Sequence, residues 1–214
     1  MKAKDLPDIT GYWGRFAQAF AAPLGGNGLL GGFVANPDVT GSYAETWIRT
    51  LARSMVTTLR ISTGAIIRTS DVTKGRDLRT VPQVDLILWD PTELPALFES
   101  GDFALVHTQA ARGIIEIKRT MTNFPQSVEQ LRQQRSRLLT TYRRNVLGVV
   151  VASSRRNLNI PNVGPNWIAE ADPAQPPPFV RLIDRRTGEP DPDGIFAFIY
   201  FLSHVARNPA GDAA

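Results

Sequence analysis

The sequence has no cysteine and only two histidines, His107 and His204, among its 214 residues. The lack of cysteine excludes a disulfide framework, a catalytic thiol and a cysteine-ligated zinc site. Two histidines are too few for a three-histidine metal site. The chain also has no apolar run of the roughly 20 residues that a membrane-spanning helix needs. We therefore expect a cytoplasmic, globular protein without a membrane partner, in which any metal chemistry uses oxygen ligands.

The length and composition are those of one folded domain. Hydrophobic residues make up 43% of the chain and charged residues 21%, which is an ordinary balance. We expect a single domain over residues 1–214, with a core at about 41–153. An N-terminal helix and a glycine-rich loop would occupy 1–40, and a C-terminal extension 154–214. The glycine-rich stretch PLGGNGLLGG lacks the GK[ST] ending of a P-loop, so we interpret it as a flexible loop.

The net charge of +4 is distributed unevenly along the chain. Residues 112–156 contain ten basic and two acidic residues, a net charge of +8, whereas the parts before and after carry −1 and −3. A basic segment of this kind favours a polyanionic partner such as nucleic acid. On charge alone, a solvated basic surface explains it equally well.

Hydrophobic periodicity predicts the order helix, three strands, helix, strand. The first helix presents Ala44, Ile48, Leu51 and Met55 on one face, with Thr40-Gly41-Ser42 as its cap. The pattern predicts strands at 59–67, 84–89, 113–118, 146–152 and 179–183, and helices at 12–21, 127–142 and 194–205. The run at 146–152 is apolar throughout, which is typical of a strand covered on both faces. We interpret residues 69–80 as a hairpin loop and 91–111 as irregular.

One carboxylate lies inside a strand pattern that should bury carbon. In QVDLILWD, alternation places Asp85 on one face with Ile87 and Trp89, while Val84 and Leu86 point to the other face. A buried carboxylate costs several kcal/mol unless it is paired or binds a cation. The ordinary alternative is a solvated aspartate at the edge of a sheet.

Three more charged residues lie in patterned elements. In GIIEIK, Glu116 and Lys118 share a strand face, and Glu45 lies beside the apolar stripe of the first helix. Taken singly, the first two are explained by a same-face salt bridge and Glu45 by a first-turn acid that the helix dipole favours.

Together, these residues resemble the PD-(D/E)XK superfamily of restriction-endonuclease-like nucleases. The resemblance consists of Glu45 on a first helix, Asp85 in a second strand and Glu116-Ile117-Lys118 in a third, followed by a basic helix and a buried strand. In pattern it is closest to small Holliday-junction-resolvase-like or bacterial defence-type nucleases, although Val84 stands where many members have proline. The implied fold is an α/β, restriction-endonuclease-like αβββαβ core, a central mixed sheet flanked by helices, with an extra C-terminal strand and helix.

The resemblance also implies an activity, the hydrolysis of phosphodiester bonds in DNA by a Mg²⁺-activated water. Asp85, Glu116 and the main-chain carbonyl of Ile117 would hold Mg²⁺, for which Mn²⁺ would substitute. Glu45 would bind a second metal or orient a metal-bound water. Lys118 would polarise the attacking water and stabilise the charge that develops on the phosphate.

Contacts to nucleic acid, with double-stranded DNA as the expected partner, are predicted from the basic helix and the residues after it. The polar side chains concerned are Arg132, Arg135, Arg137, Arg143, Arg144, Gln130 and Gln134. In related nucleases a glutamine of this helix also lines the active site, and Gln130 and Gln134 are the candidates.

Two other functions stay open at this point. One is a catalytically inactive nucleic-acid-binding or scaffold protein on a nuclease-like fold, against which the intact set of Asp85, Glu116 and Lys118 argues. The other is an interaction module that dimerises through the apolar C-terminal helix. A homodimer is also compatible with a nuclease, with the contact made by that helix or by the loop at 20–35. We interpret Trp47 and Tyr142 as packing residues, His107 as a surface or hydrogen-bonded loop residue, and His204 as a structural histidine of the last helix.

Overall fold

Seven strands and four α-helices make up the part of the chain that the computed structural model describes, which is residues 37–75, 77–120, 123–153, 168, 172 and 174–208. The helix expected at 12–21 and the loop at 20–35 lie outside these residues. The helices are α1 (Pro37–Met55), α2 (Thr69–Thr73), α3 (Phe124–Ser136) and α4 (Pro192–Arg207). The strands are β1 (Arg60–Ile67), β2 (Gln83–Trp89), β3 (Phe98–Ser100), β4 (Phe103–His107), β5 (Ala111–Lys118), β6 (Val146–Ser153) and β7 (Phe179–Asp184).

The strands form one mixed sheet in the order β3-β4-β1-β2-β5-β6-β7. Strand β2 runs antiparallel to both β1 and β5, whereas β5, β6 and β7 are parallel to one another. The order α1-β1-β2-β5-α3-β6 is the predicted αβββαβ core, and β7 and α4 are the extra C-terminal strand and helix. The predicted fold class is therefore confirmed, with the short β3–β4 hairpin inserted between the second and third core strands.

Helices cover both faces of the sheet. On one face, Ile48 of α1 and Phe198 of α4 pack with Leu86 and Ile115, and all four side chains are fully buried. On the other face, Leu131 of α3 packs in a second apolar cluster, which also includes residues of the strands. Strand β6 contributes to both clusters, which confirms that its uniformly apolar sequence marks a strand covered on both sides.

Several elements differ in extent or type from the sequence prediction. Helix α1 begins at Pro37 rather than after residues 40–42, because proline fits the first turn of a helix. Helix α3 ends at Ser136, and a separate 3₁₀ turn follows at Thr140–Tyr142. The segment predicted as a hairpin loop contains α2 and a 3₁₀ turn, Leu78–Thr80.

The segment predicted as irregular forms the β3–β4 hairpin. All three residues of β3 are exposed, so the strand has no alternation of apolar and polar side chains to reveal it. Its extended conformation is fixed by pairing with β4, which a sequence pattern does not show.

Candidate active site

Strands β2 and β5 bring the predicted carboxylates to one edge of the sheet. The antiparallel register pairs Ile87 with Ile114 and Leu86 with Ile115, so Asp85 and Glu116 come next along the two strands. Beyond these pairs, a side chain makes the hydrogen bond between the strands: the main-chain N–H of Ile117 donates to Asp85 Oδ2 at 2.8 Å. The aspartate is thus fixed against the strand that carries Glu116.

A β-bulge in β2 lies at Asp85. Strand β1 pairs Ser62 with Ile87 but Gly64 with Val84, so two residues of β2, one of them Asp85, oppose a single residue of β1. A bulge interrupts the alternation of side chains and re-aims the residue at which it occurs.

Because of the bulge, the residues around Asp85 do not lie on the faces that strict alternation predicts. Strict alternation places Val84 on the face of the sheet opposite to that of Ile87 and Trp89. In the structure, Val84 packs with both of them in the apolar cluster beneath α3. The Asp85 carboxylate turns to the end of β5, where it accepts a hydrogen bond from the Ile117 N–H. The strand register, rather than the local sequence, therefore sets the direction of the Asp85 side chain.

Glu116 is fully buried and held by two side chains. Lys118 Nζ lies 2.5 Å from Glu116 Oε1, and Gln134 Nε2 donates to Glu116 Oε2 at 2.8 Å. The same amide nitrogen donates to the carbonyl of Gln83 at 2.7 Å. Gln134 is itself fully buried, so it links α3 to both strands of the site and fixes the orientation of Glu116.

Lys118 carries a positive charge at the edge of the site. Burial acts to lower its pKa, but the carboxylate of Glu116 more than offsets this effect, with help from Asp85 and Glu45, and the pKa is raised. Lys118 is therefore protonated at neutral pH. Its Nζ also lies 3.5 Å from Gln130 Oε1 of α3. Of the two glutamine candidates, Gln134 supports the carboxylate and Gln130 faces the lysine.

Asp85 is held under conditions that favour its neutral form. Burial raises its pKa to about 7, and the negative charges of Glu116 and Glu45 act in the same direction. The hydrogen bond from Ile117 N–H and the charge of Lys118 act in the opposite direction but do not compensate. A bound cation would favour the charged form of Asp85, because it would offset the effects of burial and of the neighbouring negative charges.

Helix α1 contributes Glu45 and an arginine that sequence reasoning missed. Arg49 NH1 lies 3.5 Å from Glu45 Oε2 and donates to the main-chain carbonyl of Asp85 at 3.1 Å. Its guanidinium thus connects the helix to the bulge. The spacing of four residues from Glu45 is the signal that could have identified this pair.

Asp85, Glu116 and the Ile117 carbonyl are oxygen donors of the kind that Mg²⁺ prefers, and the two carboxylates lie close enough for the charge of Glu116 to raise the pKa of Asp85. Within the part of the chain that the structure describes, no three Asp, Glu or His side chains lie close enough to form a metal cluster by themselves. The charge of Glu45 also raises the pKa of Asp85, and its expected role as a metal ligand stays a prediction.

The predicted nucleic-acid-binding arginines separate into two groups. Arg132 and Arg144 are exposed, and Arg135 and Arg143 are partly exposed, all at the end of α3 or just after it. Two of the predicted contacts are corrected. Gln134 is fully buried against Glu116 and is not exposed to a nucleic acid. The other is Arg137. Its side chain is buried, lies 2.6 Å from Asp71 Oδ2 and donates to the carbonyl of Ile66 at 3.0 Å. It is an internal structural group that a phosphate cannot reach.

The residues interpreted as structural have packing or hydrogen-bond partners. Tyr142 is buried beside the guanidinium of Arg112, and Trp47 packs against the core at partial burial. The imidazole of His107 lies 3.0 Å from Thr69 Oγ1, and that of His204 stacks near the ring of Tyr200. None of the described helices is long and apolar enough to cross a membrane.

No protein-family model matches the chain, and no curated protein matches it. Among solved structures, it is similar to NucC of E. coli MS115-1 in the cAAA-bound form, with a TM-score of 0.47 and 11% identity over 86% of this chain and 66% of that chain. For P. aeruginosa ATCC27853 NucC in the cAAA-bound form, the TM-score is 0.46 and the identity 10%, over 82% and 62% of the two chains. For the apo form of the E. coli protein the values are 0.44 and 8%, over 80% and 71%. The chain spans about two thirds of the length of these NucC structures.

Proposed function

We propose that this protein is a divalent-metal-dependent nuclease that hydrolyses phosphodiester bonds, with DNA as its substrate. The observation that carries the proposal is the convergence of Asp85, Glu116 and Lys118 at one edge of the sheet. A structural ion pair would need only Glu116 and Lys118. The additional carboxylate of Asp85 is held close to Glu116, whose negative charge repels it. This arrangement lowers the stability of the fold, and a bound metal would explain why it is present.

Asp85, Glu116 and the Ile117 carbonyl would hold Mg²⁺ or Mn²⁺. When bound, the metal would supply Lewis acidity at the phosphate and a more nucleophilic water at neutral pH. Gln134 holds Glu116 in a fixed orientation, and the Ile117 N–H does the same for Asp85. These two hydrogen bonds preorganise the carboxylates, so little rearrangement is needed on binding.

Lys118 acts in this proposal as a fixed positive charge. Because its pKa is raised, it is protonated at neutral pH and cannot serve as the general base there. Its ammonium group would orient the attacking water and stabilise the negative charge that develops on the phosphate oxygens. Glu45, partly exposed on α1, would orient a water molecule at the same site.

The enzymatic test is cleavage of plasmid, linear duplex and branched DNA, and of RNA, with Mg²⁺ or Mn²⁺. We expect Lys118→Ala to lower the rate about 100-fold or more while DNA affinity changes little, because the lost interaction forms in the transition state. Lys74→Ala removes an exposed lysine elsewhere and serves as the matched control. Equal inactivity of the wild type and Lys118→Ala on every substrate and with both metals would contradict the proposal.

Metal binding is tested separately by titration calorimetry with Mn²⁺. We expect the wild type to bind, and both Asp85→Asn and Glu116→Gln to lose most of the affinity. Salt-sensitive DNA binding by a wild type that binds no metal would favour the inactive nucleic-acid-binding protein instead.

A further inference from the structure

Two adjacent cavities lie at the C-terminal end of α3 and share Ser136 and Arg143. The first has a volume of about 380 Å³ and is lined by Arg132, Arg135 and Ala174 in addition to the shared pair. The second has a volume of about 420 Å³, and its further polar lining comes from Arg68, Thr69, Ser70, Thr108 and Thr140. Four arginines and several hydroxyl groups therefore face these cavities, and none of the described residues that line either cavity is acidic.

The positive charge of these cavities is poorly neutralised by the described residues. Arg143 Nε is buried without a hydrogen-bond partner among them. Arg132 has a long ion pair with Glu129, 3.9 Å. Burial lowers the pKa of Arg135, and the charges of Arg132 and Arg143 lower it further, whereas Asp172 opposes them more weakly. The guanidinium groups thus lie close enough to repel one another.

The cavities lie at the same edge of the sheet as the active site. Strand β1 is antiparallel to β2, so Arg68, which follows β1, lies at the edge where β2 begins. Helix α3 joins the two regions: Gln134 contacts Glu116, and Ser136, two residues further on, accepts a hydrogen bond from the Arg68 guanidinium. A bound strand could extend from one region to the other along α3.

We propose that the two cavities form one groove that binds backbone phosphates of the nucleic-acid substrate away from the scissile bond, with Arg143 as its central contact. This inference rests on the proposed function, because it names the part of the substrate that the groove holds. Arginine forks and hydroxyl groups suit phosphate oxygens. None of the described lining residues has an aromatic ring on which a base could stack, so the described part of the groove is suited to the backbone without regard to sequence.

Binding without catalysis provides the test. The affinity of a labelled duplex of about 20 base pairs is measured by fluorescence anisotropy in EDTA over a series of salt concentrations. We expect Arg143→Gln to bind about tenfold more weakly, with the slope of log K against log salt reduced by about 1. Arg186→Gln removes an exposed arginine in the turn after β7 and should leave both quantities unchanged. Arg143→Lys, which keeps the charge, should retain part of the affinity.

Inorganic phosphate and a mononucleotide form the second arm of the test, because free phosphates have the same chemistry. The inference holds if neither competes with the duplex below tens of millimolar. It is overturned if Arg143→Gln matches the wild type in affinity and slope, if the wild type binds no duplex at low salt, or if a free phosphate saturates the groove without displacing the duplex. Duplex binding that depends on Arg143, in a protein that cleaves nothing with either metal, would support the groove and reject the nuclease.

Discussion

Asp85 is a residue whose position conflicts with its charge. Its carboxylate is partly buried beside Glu116 and within the influence of Glu45, so its neutral form is favoured up to a pH of about 7. An amide or an apolar side chain here would avoid the cost of a buried, ionised carboxylate. This cost is the observation at Asp85 that supports the proposed function.

This conflict predicts an unusual pH dependence of stability. The pKa of Asp85 rises from 3.8, its ordinary value, to about 7 on folding. Between these values the native state binds more protons than the unfolded state, so wild-type stability falls as pH increases through this range and stays low above it. Asp85→Asn, which cannot ionise, should melt a few degrees higher than wild type at pH 8.

Thermal denaturation at pH 4, 6 and 8 measures this effect. The advantage of Asp85→Asn should shrink towards pH 4, where the wild-type carboxyl is protonated over much of the population. Glu189→Gln, which changes an exposed acid, should show no comparable trend. A variant that is less stable than wild type at pH 8 would contradict the electrostatic explanation of the site.

At the scale of single elements, the bulge in β2 depends on a glycine in β1. Gly64 pairs with Val84 at the end of the bulge and has a φ of +142°. A Cβ atom at this position would lie 2.0 Å from the carbonyl oxygen of Ala104 in the neighbouring strand β4. The close approach of three strands therefore requires glycine, because both the backbone conformation and the space exclude a side chain.

Gly64→Ala should accordingly destabilise the protein by about 3 kcal/mol or more, since a main-chain atom cannot move aside as a side chain does. It should also weaken Mn²⁺ binding, because the bulge aims Asp85. Gly41→Ala is the matched control: Gly41 lies in α1 with open space around it, so alanine should stabilise the helix by about 0.5 to 1 kcal/mol. Urea denaturation measures both changes, and a Gly64→Ala protein as stable as wild type would refute the packing argument.

At the scale of the whole molecule, the basic segment of the sequence divides between interior and surface. Arg112 is buried, 3.3 Å from Glu93 and over the ring of Tyr142 at 4.8 Å. Arg137 is buried against Asp71 of α2. These two arginines connect separate elements, so the charge available to a nucleic acid is smaller than the count of +8 for residues 112–156 indicates.

Arg137 and Arg143 should therefore give opposite results when they are changed. Arg137→Gln removes the ion pair between Arg137 and the buried carboxylate of Asp71 and should destabilise the fold by about 3 to 5 kcal/mol. The fraction that stays folded should bind duplex DNA with the wild-type salt slope. The double variant Asp71→Asn, Arg137→Gln should recover part of the stability. A reduced salt slope at wild-type stability would instead place Arg137 in the interface.

Local patterns in the sequence were sufficient to predict the order of the elements and the charged residues of the candidate site. Helical and strand periodicity are local properties, so the αβββαβ order was confirmed along with the burial of β6 on both faces. Asp85, Glu116 and Lys118 stood out because charge is costly in apolar elements. The exposed strand β3 was missed because only its partner strand makes it regular.

The directions of these side chains, and their accessibility to solvent, depend on the tertiary structure. The bulge at Asp85 is a property of the pairing between β1 and β2, and it moved Val84 to the face predicted for the carboxylate. The contacts of Gln134 with Glu116 and of Arg49 with Asp85 join residues 18 and 36 positions apart. Such contacts depend on register and helix docking, which local periodicity does not encode.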